Sequence, residues 1–204
     1  MCVNGRCEMD RAVDQLILHS LEREHIQVTH LLDLMRLNLD SLKSQPSARS
    51  TLNIQRILNY LGHQILGLHC RKENVIFYAV RDIGYPGSRS WGNLENEHQQ
   101  IEALLSRATE LLGEPHDGTD KDWLSAFYTL NTVLRNHIQI EEKIWFPAAR
   151  HCLADAGWER VMRSIRVLQE ELRSTAEAGS TEASSSREYQ RILISAQPPR
   201  ARSL

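Results

Sequence analysis

Apolar residues recur along this chain at intervals of three and four. In the first long segment Leu18, Leu21, His25, Val28, Leu32, Met35, Leu39 and Leu42 step alternately by three and four, a spacing that lines one face of an α-helix and turns it towards a partner. Only His25 breaks that apolar seam. A third segment carries Leu94, His98, Ile101, Leu105, Ala108 and Leu112, and a fourth carries Trp123, Phe127, Leu130, Leu134, His137, Glu141, Ile144 and Ala148. The second is less regular, yet Leu58, Ile65, His69, Glu73, Ile76 and Val80 still share a face. No stretch alternates apolar and polar residues for long enough to predict a strand.

Breaks between these segments are few: Pro46 in SQPSARS, Pro86 in IGYPGSRSWG, Pro115 in GEPHDGTDKD, and Gly157. Four amphipathic helices with short connections pack antiparallel, because a short loop returns the chain alongside itself. The expected fold is therefore all-α, an up-down-up-down four-helix bundle over residues 11–156 after a flexible N-terminus at 1–10. Depth supports it. His25 lies about 18 residues before the first break and His69 about 20 after it, so at about 1.5 Å per residue they meet at one level. His98 and His137 match as well, whereas the second and third segments match only through an uneven connection around Pro86. Beyond Gly157, the positions Val161, Ile165, Leu168 and Leu172 predict a flanking helix over 157–176. The Ser- and Pro-rich remainder, 177–204, is expected to be a disordered tail, with docking of its short RILIS run at 191–195 as the alternative.

Composition narrows the function classes. With 24 Lys+Arg against 26 Asp+Glu, the formal charge of −2 supplies no basic excess for a phosphate backbone, so nucleic acid is not an expected partner. No apolar run approaches a bilayer span, and MCVNGRCEMDR lacks the hydrophobic core of a secretory signal. The expected address is the cytoplasm, with no membrane partner. Cys2, Cys7, Cys70 and Cys152 are scattered and form no CxxC pair, which reads as reduced thiols.

The chemistry lies in the interrupted seams. Nine histidines and the glutamates of this chain would give about 0.75 His-x-x-x-Glu pairs by chance, and there are three: His69 with Glu73, His98 with Glu102, and His137 with Glu141. Residues four apart on a helix stack on one face, where an imidazole and a carboxylate converge on one ion. Burying ionised carboxylates without compensation costs several kcal/mol apiece. A cation resolves that problem, and helical bundles are known to hold two metal ions in this way. The candidate metal ligands are His25, His69, Glu73, His98, Glu102, His137 and Glu141. His19, His30, His63, His116 and His151 lack a seam position or a glutamate partner. Spacing alone admits iron, manganese or zinc.

The motifs LEREHIQVTHLL around His25, LHCRKENVIF around His69, LENEHQQIEALL around His98 and LRNHIQIEEKIWFP around His137 resemble the hemerythrin-like, HHE cation-binding family, from about Leu16 to Leu153. The resemblance implies two non-haem iron ions, oxo- or hydroxo-bridged, with Glu73 and Glu141 as bridging carboxylates and the four histidines as terminal ligands. Oxygen-carrying members have a histidine where this chain has Glu102, which implies a harder donor set that favours ferric iron. By the same resemblance, the expected role is to bind or sense dioxygen, peroxide or nitric oxide. Two alternatives stand beside it. One is a catalase- or peroxidase-like enzyme of oxidative or nitrosative stress defence, with Glu102 or Glu142 relaying a proton. The other is an iron sensor whose bundle unfolds on metal loss.

Overall fold

The structure, a computed structural model, describes residues 11–45, 47–89, 94–113, 121–175 and 182–196. All regular structure among them is helical. Helix α1 spans Arg11–Ser44. Ser47 then accepts a hydrogen bond from the Ser50 amide at 3.3 Å, satisfying one otherwise orphaned donor where α2 (Ala48–Leu61) begins. A π-helical stretch, Gly62–His69, joins α2 to α3 (Cys70–Asp82), so the three form one long second helix. A 3₁₀ turn at Pro86–Arg89 precedes α4 (Leu94–Gly113). The fourth long helix comprises α5 (Lys121–Ile140), a π turn at Glu141–Trp145, and α6 (Phe146–Cys152). Helices α7 (Asp155–Thr175) and α8 (Glu182–Ser195) follow.

The four long helices form a closed ring: α1 packs on α2, α2 on α4, α4 on α5, and α5 returns to α1. Direction is visible in side-chain pairs. Gln27 meets Tyr60, Asn38 meets Asn53 and Ser41 meets Ser50, so numbers rise on α1 as they fall on α2. The core consists of two apolar clusters. Helices α1 and α4 enter the smaller one first, at Leu18 and Leu94, and finish in the larger at Leu42 and Leu112. The second and fourth long helices run the opposite way, from Ile54 and Trp123 to Val80 and Ala149. Each helix thus reverses the sense of the one before it, with α7 packed on α1 and α3 and α8 on α2 and α1.

One feature meets the sequence expectation and two depart from it. The uneven connection around Pro86 is a real offset: the second helix continues thirteen residues past His69 to Asp82, whereas α4 starts only four before His98. The linking segment, which includes Gly84 at φ 70°, returns the chain to the level where Tyr78 meets Glu95. Second, Ile144 is 55% exposed, and Trp145, Phe146 and Ala149 are buried in its stead. The π turn inserts one residue and rotates all that follows by about 100°. Third, the tail expected to be disordered from 177 contains α8. Tyr189, Ile192 and Ala196 are buried in the larger cluster, and Asn38 Nδ2 donates to the Ala196 carbonyl at 2.8 Å. Tyr189 and Ile192 on the helix, Ala196 just past its end and the partly buried Leu193 suffice to dock an otherwise polar segment. The expectations for 1–10, including Cys2 and Cys7, and for 197–204 lie outside the described residues. No helix among the described residues is long and apolar enough to cross a membrane.

Candidate metal centre

Where the two apolar clusters meet, every one of the four long helices contributes a polar residue. His25 comes from α1, His69 and Glu73 from the π–α3 junction, His98 from α4, and His137 and Glu141 from the α5–π junction, all buried. The π segments make this convergence possible. Leu61, Ile65, His69 and Glu73 are each four apart, and in an α-helix each such step drifts by about 40° around the axis. The wider π turn takes up that drift and keeps the row in line. His137, Glu141 and Trp145 repeat the pattern.

The candidate ligand atoms fall into two groups of four, His25–His69–Glu73–Glu141 and Glu73–His98–His137–Glu141, within each of which one donor atom per residue lies within 4.8 Å of every other. Both groups contain Glu73 and Glu141. His69 Nε2 lies 2.8 Å from Glu73 Oε1, and His25 Nε2 lies 3.4 Å from the same atom and 3.2 Å from Glu141 Oε2. His98 Nε2 is 3.3 Å from Glu73 Oε2, and His137 Nε2 is 3.2 Å from Glu141 Oε1. Proximity here is only partly pairing: His25 Nε2 and Glu73 Oε1 are hydrogen-bonded, but other atoms of the cluster are not. Glu73 Oε2, both carboxylate oxygens of Glu141, and the Nε2 atoms of His98 and His137 have no hydrogen-bond partner, although all are buried. Buried polar atoms left so are expensive. Imidazole and carboxylate donors crowded together yet misaligned for hydrogen bonding fit a cation between them.

The electrostatics agree. Burial favours neutral imidazole, but the carboxylates of Glu141 and Glu73 overcome it and hold His25 up at about 10. For His137, Glu141 and Glu97 likewise overcome burial and raise it to about 10. His69 is raised against the same burial penalty by Glu73 and Glu24. Glu73, despite burial, is held well below the usual carboxylate range by His69, His25 and His98. A cluster that retains protons this strongly attracts a cation in their place.

Behind the ring of clustered side chains stand three carboxylates, of which sequence reasoning singled out only Glu142, as a proton relay, and neither Glu24 nor Glu97. Glu24 Oε2 lies 2.7 Å from His69 Nδ1, Glu97 Oε2 2.9 Å from His137 Nδ1, and Glu142 Oε1 3.0 Å from His25 Nδ1. The buried Lys72 ammonium in turn holds Glu24. A carboxylate on Nδ1 fixes the tautomer that leaves Nε2 free to face the centre. The sequence signal is present in retrospect, since Glu24 and Glu97 each precede a ligand histidine and Glu142 follows a ligand glutamate. Each serves a histidine on a different helix from its own.

Glu102 is a correction to the expected set. It is exposed on α4 and belongs to neither group of four. The α4 register that buries His98, Ile101 and Leu105 turns position 102 outwards. His19, His30, His63 and His151 are exposed, and His30 Nδ1 meets the Tyr189 hydroxyl at 3.0 Å. His116 lies outside the described residues. Cys70 is buried and Cys152 half-buried, and both are free thiols.

Comparison with curated proteins and with solved structures returns no match. A family model, that of the hemerythrin HHE cation-binding domain, matches residues 16–149, a span that holds all six clustered histidines and glutamates. The chain belongs to the hemerythrin HHE cation-binding domain family.

Proposed function

We propose that the centre holds two iron ions and binds a small molecule of the size of dioxygen, peroxide or nitric oxide. One observation carries this reading: two four-residue groups share both of their carboxylates, the arrangement in which Glu73 and Glu141 serve two ions at once. His25 and His69 would complete one position, and His98 and His137 the other. When bound, the iron pair supplies redox-active Lewis acidity with coordination positions left free for an exogenous ligand.

The surroundings support a small, uncharged or singly charged ligand. A cavity of about 20 Å³ adjoins Glu73 and Glu141 and is otherwise walled by Ile76, Phe77, Leu94, Trp145, Phe146 and Ala149. That volume accommodates roughly one water-sized molecule, and its apolar walls keep bulk water from the centre. Metal content per chain, followed by spectral titration with azide and with nitric oxide under anaerobic conditions, tests the reading. Two irons and a ligand-dependent charge-transfer band support it; a protein that takes up no stoichiometric transition metal overturns it.

A second reading, a peroxide-consuming enzyme, is favoured by Glu142. Its side chain is 40% exposed and reaches buried His25, forming a proton route between solvent and the centre. Oxygen evolution from added hydrogen peroxide at a rate that falls in Glu142→Gln separates turnover from stoichiometric binding.

A further inference from the structure

The four ligand imidazoles are not held alike. At the His25–His69 position both Nδ1 atoms have a carboxylate behind them, Glu142 at 3.0 Å and Glu24 at 2.7 Å. Glu24 is itself fixed: its side chain is 12% exposed and its other oxygen is engaged by Lys72, which is 4% exposed. At the opposite position only His137 is backed, by Glu97 at 2.9 Å with 26% of that side chain exposed. The Nδ1 of His98 is buried and has no partner among the described residues. A backing carboxylate settles which ring nitrogen carries the proton, locks the ring plane, and makes Nε2 a stronger donor. An unbacked imidazole keeps two tautomers, and one must be selected when an ion binds.

We propose that the two ion positions are inequivalent and fill in order: the first ion enters between His25 and His69, positioned by Glu24 and Glu142, and the second enters between His98 and His137. This rests on the two-ion reading given above. Glu24, Lys72 and Glu142 are positioning residues; they act on the ion through the histidines they hold. The shared Glu73 and Glu141 belong to both positions and do not distinguish them, so the difference arises from the outer carboxylates and the bare His98. The His98–His137 position is then the more easily emptied of the two, and a half-loaded protein is a distinct state and not a mixture of empty and full chains.

Titration of the metal-free full-length protein with Co(II), followed by visible absorption and by competition against a chelator, tests this directly. The expected result is two resolved binding steps differing by at least about 10-fold in affinity. Glu24→Gln weakens the His25–His69 position by about 10- to 100-fold, the range for loss of such an outer partner, which merges the two steps or reverses their order, and Glu97→Gln weakens only the second. His98→Ala retains one ion at the affinity of the wild-type first step, which keeps the test decisive should a Glu24 variant fold poorly; circular dichroism of the metal-free variants monitors that. Two ions bound with one indistinguishable affinity overturn the proposal while leaving the two-ion reading intact, as does a first step weakened by Glu97→Gln. A wild-type stoichiometry of one or none overturns the two-ion reading itself.

Discussion

Phe146 lies flat against His25, ring centroids 5.6 Å apart and planes within 3° of parallel. The same ring forms part of the wall of the small cavity beside Glu73 and Glu141. Phe146 therefore does two things at once: it packs against the plane of the His25 imidazole and narrows the cavity. Phe146→Ala is expected to lower unfolding stability by about 3–5 kcal/mol, measured by urea denaturation, and to quicken exchange of a bound azide in stopped-flow experiments. Unchanged exchange would remove Phe146 from the cavity wall.

Glu73 and Glu141 occur in both groups of four, so each is expected to matter to both positions. Glu73→Ala and Glu141→Ala should each bring metal content below one ion per chain, whereas His137→Ala should leave close to one. Inductively coupled plasma analysis of protein reconstituted with excess ferrous iron and then desalted reads this out. A Glu73→Ala protein that still carries two ions would rule out sharing.

The pH dependence of the metal-free protein has a defined sign. His25 and His137 are held up at about 10 against an ordinary 6.5. The stability they contribute is therefore complete below pH 6.5 and is lost as pH rises towards 10. Glu73 is held below its ordinary 4.5, and its contribution is lost as pH falls through and below that value. Metal-free protein should be most stable between about pH 4.5 and 6.5 in urea unfolding and clearly less stable at pH 9. Loading with metal should release protons into unbuffered solution and flatten the alkaline arm of the curve.

Helix α8 docks through Tyr189, Ile192 and Ala196, with Ile192 1% exposed. Ile192→Ala is expected to destabilise by up to about 2–5 kcal/mol, limited by the energy that holds α8 in place. Hydrogen exchange should show the loss of protection concentrated in α8 and the facing turns of α1 and α2. Metal content should not change, since α8 packs in the larger apolar cluster and supplies no ligand.

Much of this was legible because burial and periodicity are local properties. The 3–4 stepping of Leu18 to Leu42 marks a helix face without knowledge of the partner, and histidines or glutamates within such a face declare themselves by being out of place. What was not legible depends on the partner. The outward turn of Glu102 follows from packing by Ile101 and Leu105, not from its distance to His98. The backing carboxylates act across helices: Glu24 serves His69 rather than its neighbour His25, and only the assembled bundle reveals it. The π turns left one trace, the runs of four-residue steps through His69 and His137, which a regular α-helical wheel reads as drift. It is that drift which misplaced Ile144 on the buried face. Helix α8 was overlooked because its serine-rich first half outweighs three apolar side chains in any average over composition.

The division of the interior into two oily compartments has a further consequence. Each has its own covering helix, α7 over the smaller and α8 over the larger, and the slab of imidazole and carboxylate lies between them. The four long helices cross all three layers, so an ion held in the slab would tie the four together at one level.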